Sequence, residues 1–185
     1  MNDTLFKTLI TPTIDEPRAA QRLAQKYRFN DADMDLFFMA ALSWGPTGGL
    51  DIGQAFHVAS RVVDGDADSW VRAFGEYGDT LNAQADAWQQ RGWQREAGEA
   101  RLKAFASYRS AWQFAAPGGE QFQALYAKHK QAFAMAMDGL NLPATFFETP
   151  HQGKQLPGVF LRNADDPWMS IHPNASCGES RSTLR

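Results

Sequence analysis

The chain has 185 residues, 44% hydrophobic and 12% aromatic, which supports a packed domain and excludes a disordered one. Its 18 basic and 21 acidic residues leave a net charge of −3, which gives no electrostatic basis for binding nucleic acid or an anionic membrane. The single cysteine, Cys177, excludes an internal disulfide, and no apolar run approaches the roughly 20 residues of a membrane span. The start, Met-Asn-Asp-Thr-Leu-Phe-Lys, lacks a basic stretch followed by an apolar one, so a cytoplasmic protein is expected.

Residues 1–15 read as a loose leading segment, with Pro12 as a breaker. A short helix is predicted over 16–28, with Pro17 in its first turn. The next helix starts at an Asn30 or Asp31 cap and carries Met34, Phe37, Phe38, Ala41 and Leu42 on one face. It ends at Trp44-Gly45-Pro46-Thr47-Gly48-Gly49, a strong turn signal. Asp51 caps a third helix, and Gln54 completes a capping-box pair. Its predicted apolar face is Ile52, Phe56, Ala59 and Val63, and Asp64-Gly65-Asp66 breaks it.

The fourth helix is the clearest. Trp70, Phe74, Tyr77, Leu81, Ala85 and Trp88 recur at steps of three and four, and Arg91-Gly92 ends it. The fifth follows at once, with Ala97, Ala100, Ala104, Tyr108, Ala111 and Trp112 on one stripe. So short a connection predicts an antiparallel pair, and the alanines allow close approach. After Pro117-Gly118-Gly119, a sixth helix over 120–138 places Phe122, Leu125, Tyr126, His129, Phe133, Ala136 and Met137 on one side. A β-hairpin comes next, with strands over 145–149 and 156–161 and a polar turn His151-Gln152-Gly153-Lys154. Two strands alone are marginal in water and call for further strands or a helical face.

Several stretches resemble one family. Gly48-Gly49-Leu50-Asp51-Ile52-Gly53-Gln54 is similar to the Gly-Gly-x-Asp-x-Gly-Glu turn of FrsA-like α/β-hydrolases, the branch that includes 2,6-dihydropseudooxynicotine hydrolase, with Gln54 where glutamate is usual. Asp64-Gly65-Asp66 before Ser69-Trp70 resembles its Asp-x-Asp-x-x-Ser-Trp stretch. The run from Ala100 to Phe114 resembles its Ala-x-x-Leu-Arg-Ala-x-x-Tyr-Tyr-Arg-x-Ala helix, with Lys103 in the arginine place and Ser107 for the first tyrosine. Leu156-Pro157-Gly158-Val159-Phe160-Leu161 resembles its Leu-Pro-Gly-Tyr strand.

The resemblance covers about 28–163 and implies a mainly α fold: an antiparallel helical cap domain over 1–143, then a hairpin over 144–163 that would begin an α/β-hydrolase sheet. The polar tail over 164–185 is expected to lack fixed structure. The resemblance further implies a cap over a serine hydrolase site acting on an ester or a ketone-type C–C bond. The serine would sit on a Gly-x-Ser-x-Gly elbow, which this chain does not show. Gly178-Glu179-Ser180-Arg181-Ser182 lacks the second glycine and follows no apolar strand. A chain interrupted near Pro167, and inactive alone, is therefore expected.

No residue is assigned a catalytic role, and no cofactor or metal is implied; His57 and His129 lack further ligands at any supporting spacing. His151 in the turn and His172 in the tail read as exposed. The substrate-pocket candidates are Phe37, Phe38, Trp44, Tyr108, Trp112 and His129. Core packing is the plainer reading of the aromatic ones, and a hydrogen-bonded core position that of His129. The expected partners are a small hydrophobic or aromatic carbonyl substrate, the missing hydrolase domain and, through unpaired strand edges, a second copy of the chain. The other reading is a non-catalytic helical interaction module, although no helical repeat recurs.

Overall fold

A computed structural model describes residues 26–162. The leading segment, the predicted helix up to residue 25 and the tail with His172 and Cys177 lie outside the described residues. The described end of that predicted helix, Lys26 to Arg28, is not helical. Its backbone is held by a side chain instead. The Asp35 carboxylate accepts from the N–H groups of Tyr27 (3.1 Å), Arg28 (2.8 Å) and Phe29 (3.0 Å). Burial pushes the Asp35 carboxyl up, but the three backbone donors outweigh it and hold the group below its ordinary value.

Helix α1, Ala32–Ser43, begins where Asp31 accepts from Met34 N at 2.8 Å. A 3₁₀ turn, Gly45–Thr47, follows and closes at Gly48 with φ 89°, a left-handed conformation that only glycine adopts cheaply. Helix α2, Ile52–Ala59, starts with the expected capping box, in which Asp51 N donates to Gln54 Oε1 at 3.0 Å. Its predicted face needs correction. Ile52, Phe56 and Val63 are exposed, and the inward residues are Ala55, Val58, Ala59 and Val62. The helix also stops earlier than expected. The chain after it is pulled back to the start of the fold, where Asp64 accepts from Asn30 N and Asp31 N at 2.8 and 2.9 Å.

Helices α3 (Ala67–Gln90) and α4 (Gln94–Trp112) form the predicted pair. Cross-helix hydrogen bonds fix the direction: Trp70 Nε1 donates to Ser110 O, Ser107 Oγ to Phe74 O, Tyr108 Oη to Asp79 and Arg101 to Asp86. From Trp70–Ser110 at one end to Asp86–Arg101 at the other, higher numbers on α3 meet lower ones on α4, so the pair is antiparallel. The alanine stripe brings the helices close. A Cβ on Gly78 would lie 2.6 Å from the Tyr108 ring, so only glycine fits there. Trp70 is the centre of the core. Its ring lies 4.6 Å from Phe74, 4.9 Å from Phe114 and 5.7 Å from Phe29.

Helix α5, Glu120–Gly139, packs on the other side of α4 through Leu125, Ala132, Ala136 and Met137. Strands β1 (Ala144–His151) and β2 (Lys154–Leu161) then form an antiparallel hairpin. Its turn is tighter than the predicted four residues. Gln152 and Gly153 alone make it, with φ of 48° and 76°, the signature of a type I′ turn. The protein is thus mainly helical, with a two-stranded hairpin at the end of the described chain. Among the described residues, no helix is long and apolar enough to cross a membrane.

Candidate functional site

The hairpin has two apolar faces. Residues two apart on a strand share a face, so Phe146, Val159 and Leu161 lie together and Phe147, Leu156 and Phe160 lie on the opposite side. The first face turns toward α5, where Phe146 meets Phe133 with ring centres 6.3 Å apart. Among the described residues the second makes no ring-to-ring contact with a helix, yet the two faces are exposed alike: Phe146 by 49%, Phe147 by 48% and Phe160 by 45%. Two clefts open where the first face and the helices meet. They share Phe105 of α4 and Phe133 of α5 as a dividing wall.

The wall belongs to an aromatic ladder. On α5, Phe122, Tyr126, His129 and Phe133 follow at helical spacing, so they line one face. Trp112 packs edge-on to Phe122 at 5.2 Å, and Phe105 stacks on His129 at 4.2 Å and meets Phe133 at 5.0 Å.

The larger cleft, about 790 Å³, lies between this ladder and the hairpin and is lined by Tyr126, His129, Lys130, Phe146, Glu148 and Val159 among others. His129 is its distinctive group. Its Nδ1 lies 3.2 Å from Phe105 O. A carbonyl only accepts, so Nδ1 carries the proton and Nε2 keeps a lone pair. Burial pulls His129 below the ordinary histidine range, and the Arg109 and Lys130 charges act in the same direction against the Phe105 hydrogen bond. The imidazole is therefore neutral near pH 7, able to accept a hydrogen bond or act as a base.

The smaller cleft, about 550 Å³, is bounded by the Gly45–Thr47 turn, α4, α5 and the foot of the hairpin. Both Trp44 and Arg109 line it, with the guanidinium carbon 5.0 Å from the Trp44 ring centre. Trp44 is seated on the glycine turn, since a Cβ on Gly49 would lie 2.7 Å from its own Cβ. The one hydroxyl lining this cleft, Thr47 Oγ1, donates to Trp44 O at 3.0 Å. Among the described residues, neither cleft is lined by a serine or cysteine. Among the described residues no three His, Cys, Asp or Glu side chains gather as a metal site would require.

Of the six candidate residues, the structure places two in clefts: Trp44 in the smaller and His129 in the larger. Phe38 is fully buried and packs on Phe56 at 5.0 Å, so it has no surface to offer a ligand. Phe37 lies against Phe114 at 5.4 Å, at the edge of the core. Tyr108 is buried against α3 and donates to Asp79, which also takes Lys128 Nζ at 2.6 Å. Burial, then Asp79, pushes the Tyr108 hydroxyl far above its ordinary value. Trp112 lies behind the ladder and lines neither cleft, and its buried Nε1 has no partner.

Sequence reasoning misses Phe105 and Arg109, as it does the meeting of Phe133 with the hairpin. One signal is present. Leu102, Phe105, Ala106 and Arg109 form a second helical stripe beside the alanine stripe of α4, and all four line the smaller cleft. Compared with known proteins, the chain matches no family model and no curated protein.

Proposed function

We propose that the chain is a substrate-pocket cap domain that works with a serine α/β-hydrolase domain in the cytoplasm. The observation that carries this reading is the hairpin. Its strands close two apolar clefts against the helices, and its large apolar side chains stay about half exposed on both faces. A hairpin of this kind is marginal alone and suits a place at the start of a larger sheet. The Gly48-Gly49 turn and the Leu156-Pro157-Gly158 strand, two stretches of the hydrolase resemblance, both sit beside the clefts. In this role the domain supplies walls, water exclusion and substrate choice, and the partner domain supplies nucleophile, base and oxyanion hole. The substrate is a small hydrophobic or aromatic carbonyl compound, held among Phe105, Phe133 and Phe146, with the His129 imidazole at the edge of the larger cleft.

The test uses the purified chain with acetophenone as a carbonyl probe and p-nitrophenyl acetate as an ester. Acetophenone is expected to shift the NMR resonances of His129, Phe133 and Phe146. The ester is expected to turn over no faster than in a heat-denatured control. Turnover abolished by a serine-directed fluorophosphonate, or probe-induced shifts confined to residues outside the clefts, would overturn the reading.

A further inference from the structure

We infer that the smaller cleft binds an apolar monocarboxylate, with the carboxylate held by Arg109 and the apolar body between Trp44, Leu102, Phe133 and Met137. The inference goes beyond the hydrolase reading and does not depend on it.

Three observations carry it. The first is how Arg109 is kept. Its guanidinium carbon lies 5.0 Å from the Trp44 ring centre and 5.5 Å from that of Trp112. Two indoles therefore flank the cation. The ion pairs among the described residues use Arg61, Arg95, Arg101, Lys103 and Lys128, and none uses Arg109. Arg101 makes the contrast on the same helix. It is buried and answered by Asp86 at 2.8 Å and Gln89 at 2.5 Å. Arginine stays protonated whatever its surroundings, so Arg109 is a half-buried charge with no counter-charge among the described residues.

The second observation is the lining. Among the described residues it holds no Asp or Glu, and the only other charged side chain is Arg162, also cationic. An entering anion therefore meets attraction from both arginines and no repulsion from the walls. The third is shape and polarity. About 550 Å³ suits a small organic molecule. Away from the two arginines the walls are nearly all aromatic or aliphatic. The planar fork of Arg109 in a mostly apolar cleft matches a carboxylate on a hydrocarbon or aryl body, which such a fork grips with two parallel hydrogen bonds.

Isothermal titration of the full chain with 4-phenylbutyrate and its neutral amide, 4-phenylbutanamide, tests this. The two probes share their apolar body, so the difference between them reports the charge. The acid is expected to bind at least about tenfold tighter, a gap equal to 1.4 kcal/mol. It should also weaken as salt is raised, because the attraction is partly screened. In Arg109→Gln the gap should narrow severalfold, Arg162 keeping a remainder, and in Arg109→Lys, which keeps the charge but loses the fork, it should narrow less. Circular dichroism melting checks that each variant is folded, and the acid–amide comparison on the unaltered chain needs no variant. Equal affinity for acid and amide, no binding of either at millimolar concentration, or an acid preference unchanged in folded Arg109→Gln would each overturn the inference. None of these outcomes touches the acetophenone shifts expected at His129 in the larger cleft, so the two ideas fail separately.

Discussion

The α3–α4 pair and the hairpin carry similar apolar side chains and treat them in opposite ways. On α3, Trp70 and Phe74 are fully buried, and even the Trp70 N–H finds the Ser110 carbonyl at 2.8 Å. On the hairpin, Phe146, Phe147 and Phe160 each keep nearly half their surface exposed. Long helices packed side by side close a core between them, whereas a lone hairpin has two faces and only one helix to lean on. The helices therefore account for the stability of the molecule, and the hairpin supplies surface. The clefts lie at the seam between the two regions, with packed helices on one side and a half-exposed hairpin on the other.

The largest effect is expected from Trp70→Ala. Removing an aromatic residue from the middle of a packed core costs about 3–5 kcal/mol, the lost transfer energy plus the cavity left behind. Urea unfolding followed by far-UV circular dichroism measures it. A loss below about 1 kcal/mol would mean that the body refills around the gap and is not the close-packed region described here.

How much is legible in the sequence follows the same division. Helices α3, α4 and α5 are readable because aromatic and alanine residues recur at helical spacing along their whole length, and a long pattern of that period points to a helix and to little else. The face of α2 is misread because the rule favours large residues. Ile52, Phe56 and Val63 draw attention, while the smaller Ala55 and Val58 join the expected Ala59 on the inside. The Asp35 and Asp64 tethers cannot be read at all. Each joins a carboxylate to backbone N–H groups, in one case across more than thirty residues, and such bonds leave no periodic trace. The clefts are half legible. Trp44 is singled out by its glycine turn and His129 by its apolar helical face. Their separation into two sites, and the place of Arg109 beside Trp44, depend on where the hairpin folds back, which no local pattern specifies.

A smaller effect is expected at His129, where the two regions touch. Its pKa in the folded chain lies below the 6.5 of an unperturbed histidine, first because of burial. In the window between those two values the unfolded chain holds a proton that the folded chain does not, so stability rises with pH there. The neutral ring's contribution is complete above about pH 6.5 and is lost as pH falls toward the folded-state value. Arg109 and Lys130 deepen the effect by opposing a third positive charge nearby. Urea unfolding of the unaltered chain and of His129→Gln, from about pH 5 to 7.5, should give a difference that shrinks as pH falls. A difference independent of pH would place the imidazole in ordinary solvent and remove the neutral base from the larger cleft.

The smallest effect is expected from Phe160→Ser, and it is the sharpest test of the contrast. Phe160 pairs with Thr145 across the hairpin and shares the outward face with Phe147 and Leu156. It is 45% exposed, against none for Trp70, although both are large aromatic residues. Burial decides the cost of losing such a side chain, so a change within about 0.5 kcal/mol is expected, as for a surface substitution. The strand should survive, because its ladder bonds are backbone bonds and the type I′ turn at Gln152 and Gly153 fixes the register without help from position 160. A cost approaching that of Trp70→Ala would show the outward face to be covered in solution. The hairpin would then belong to the core, and the seam between body and hairpin would lose its meaning as a place for a ligand.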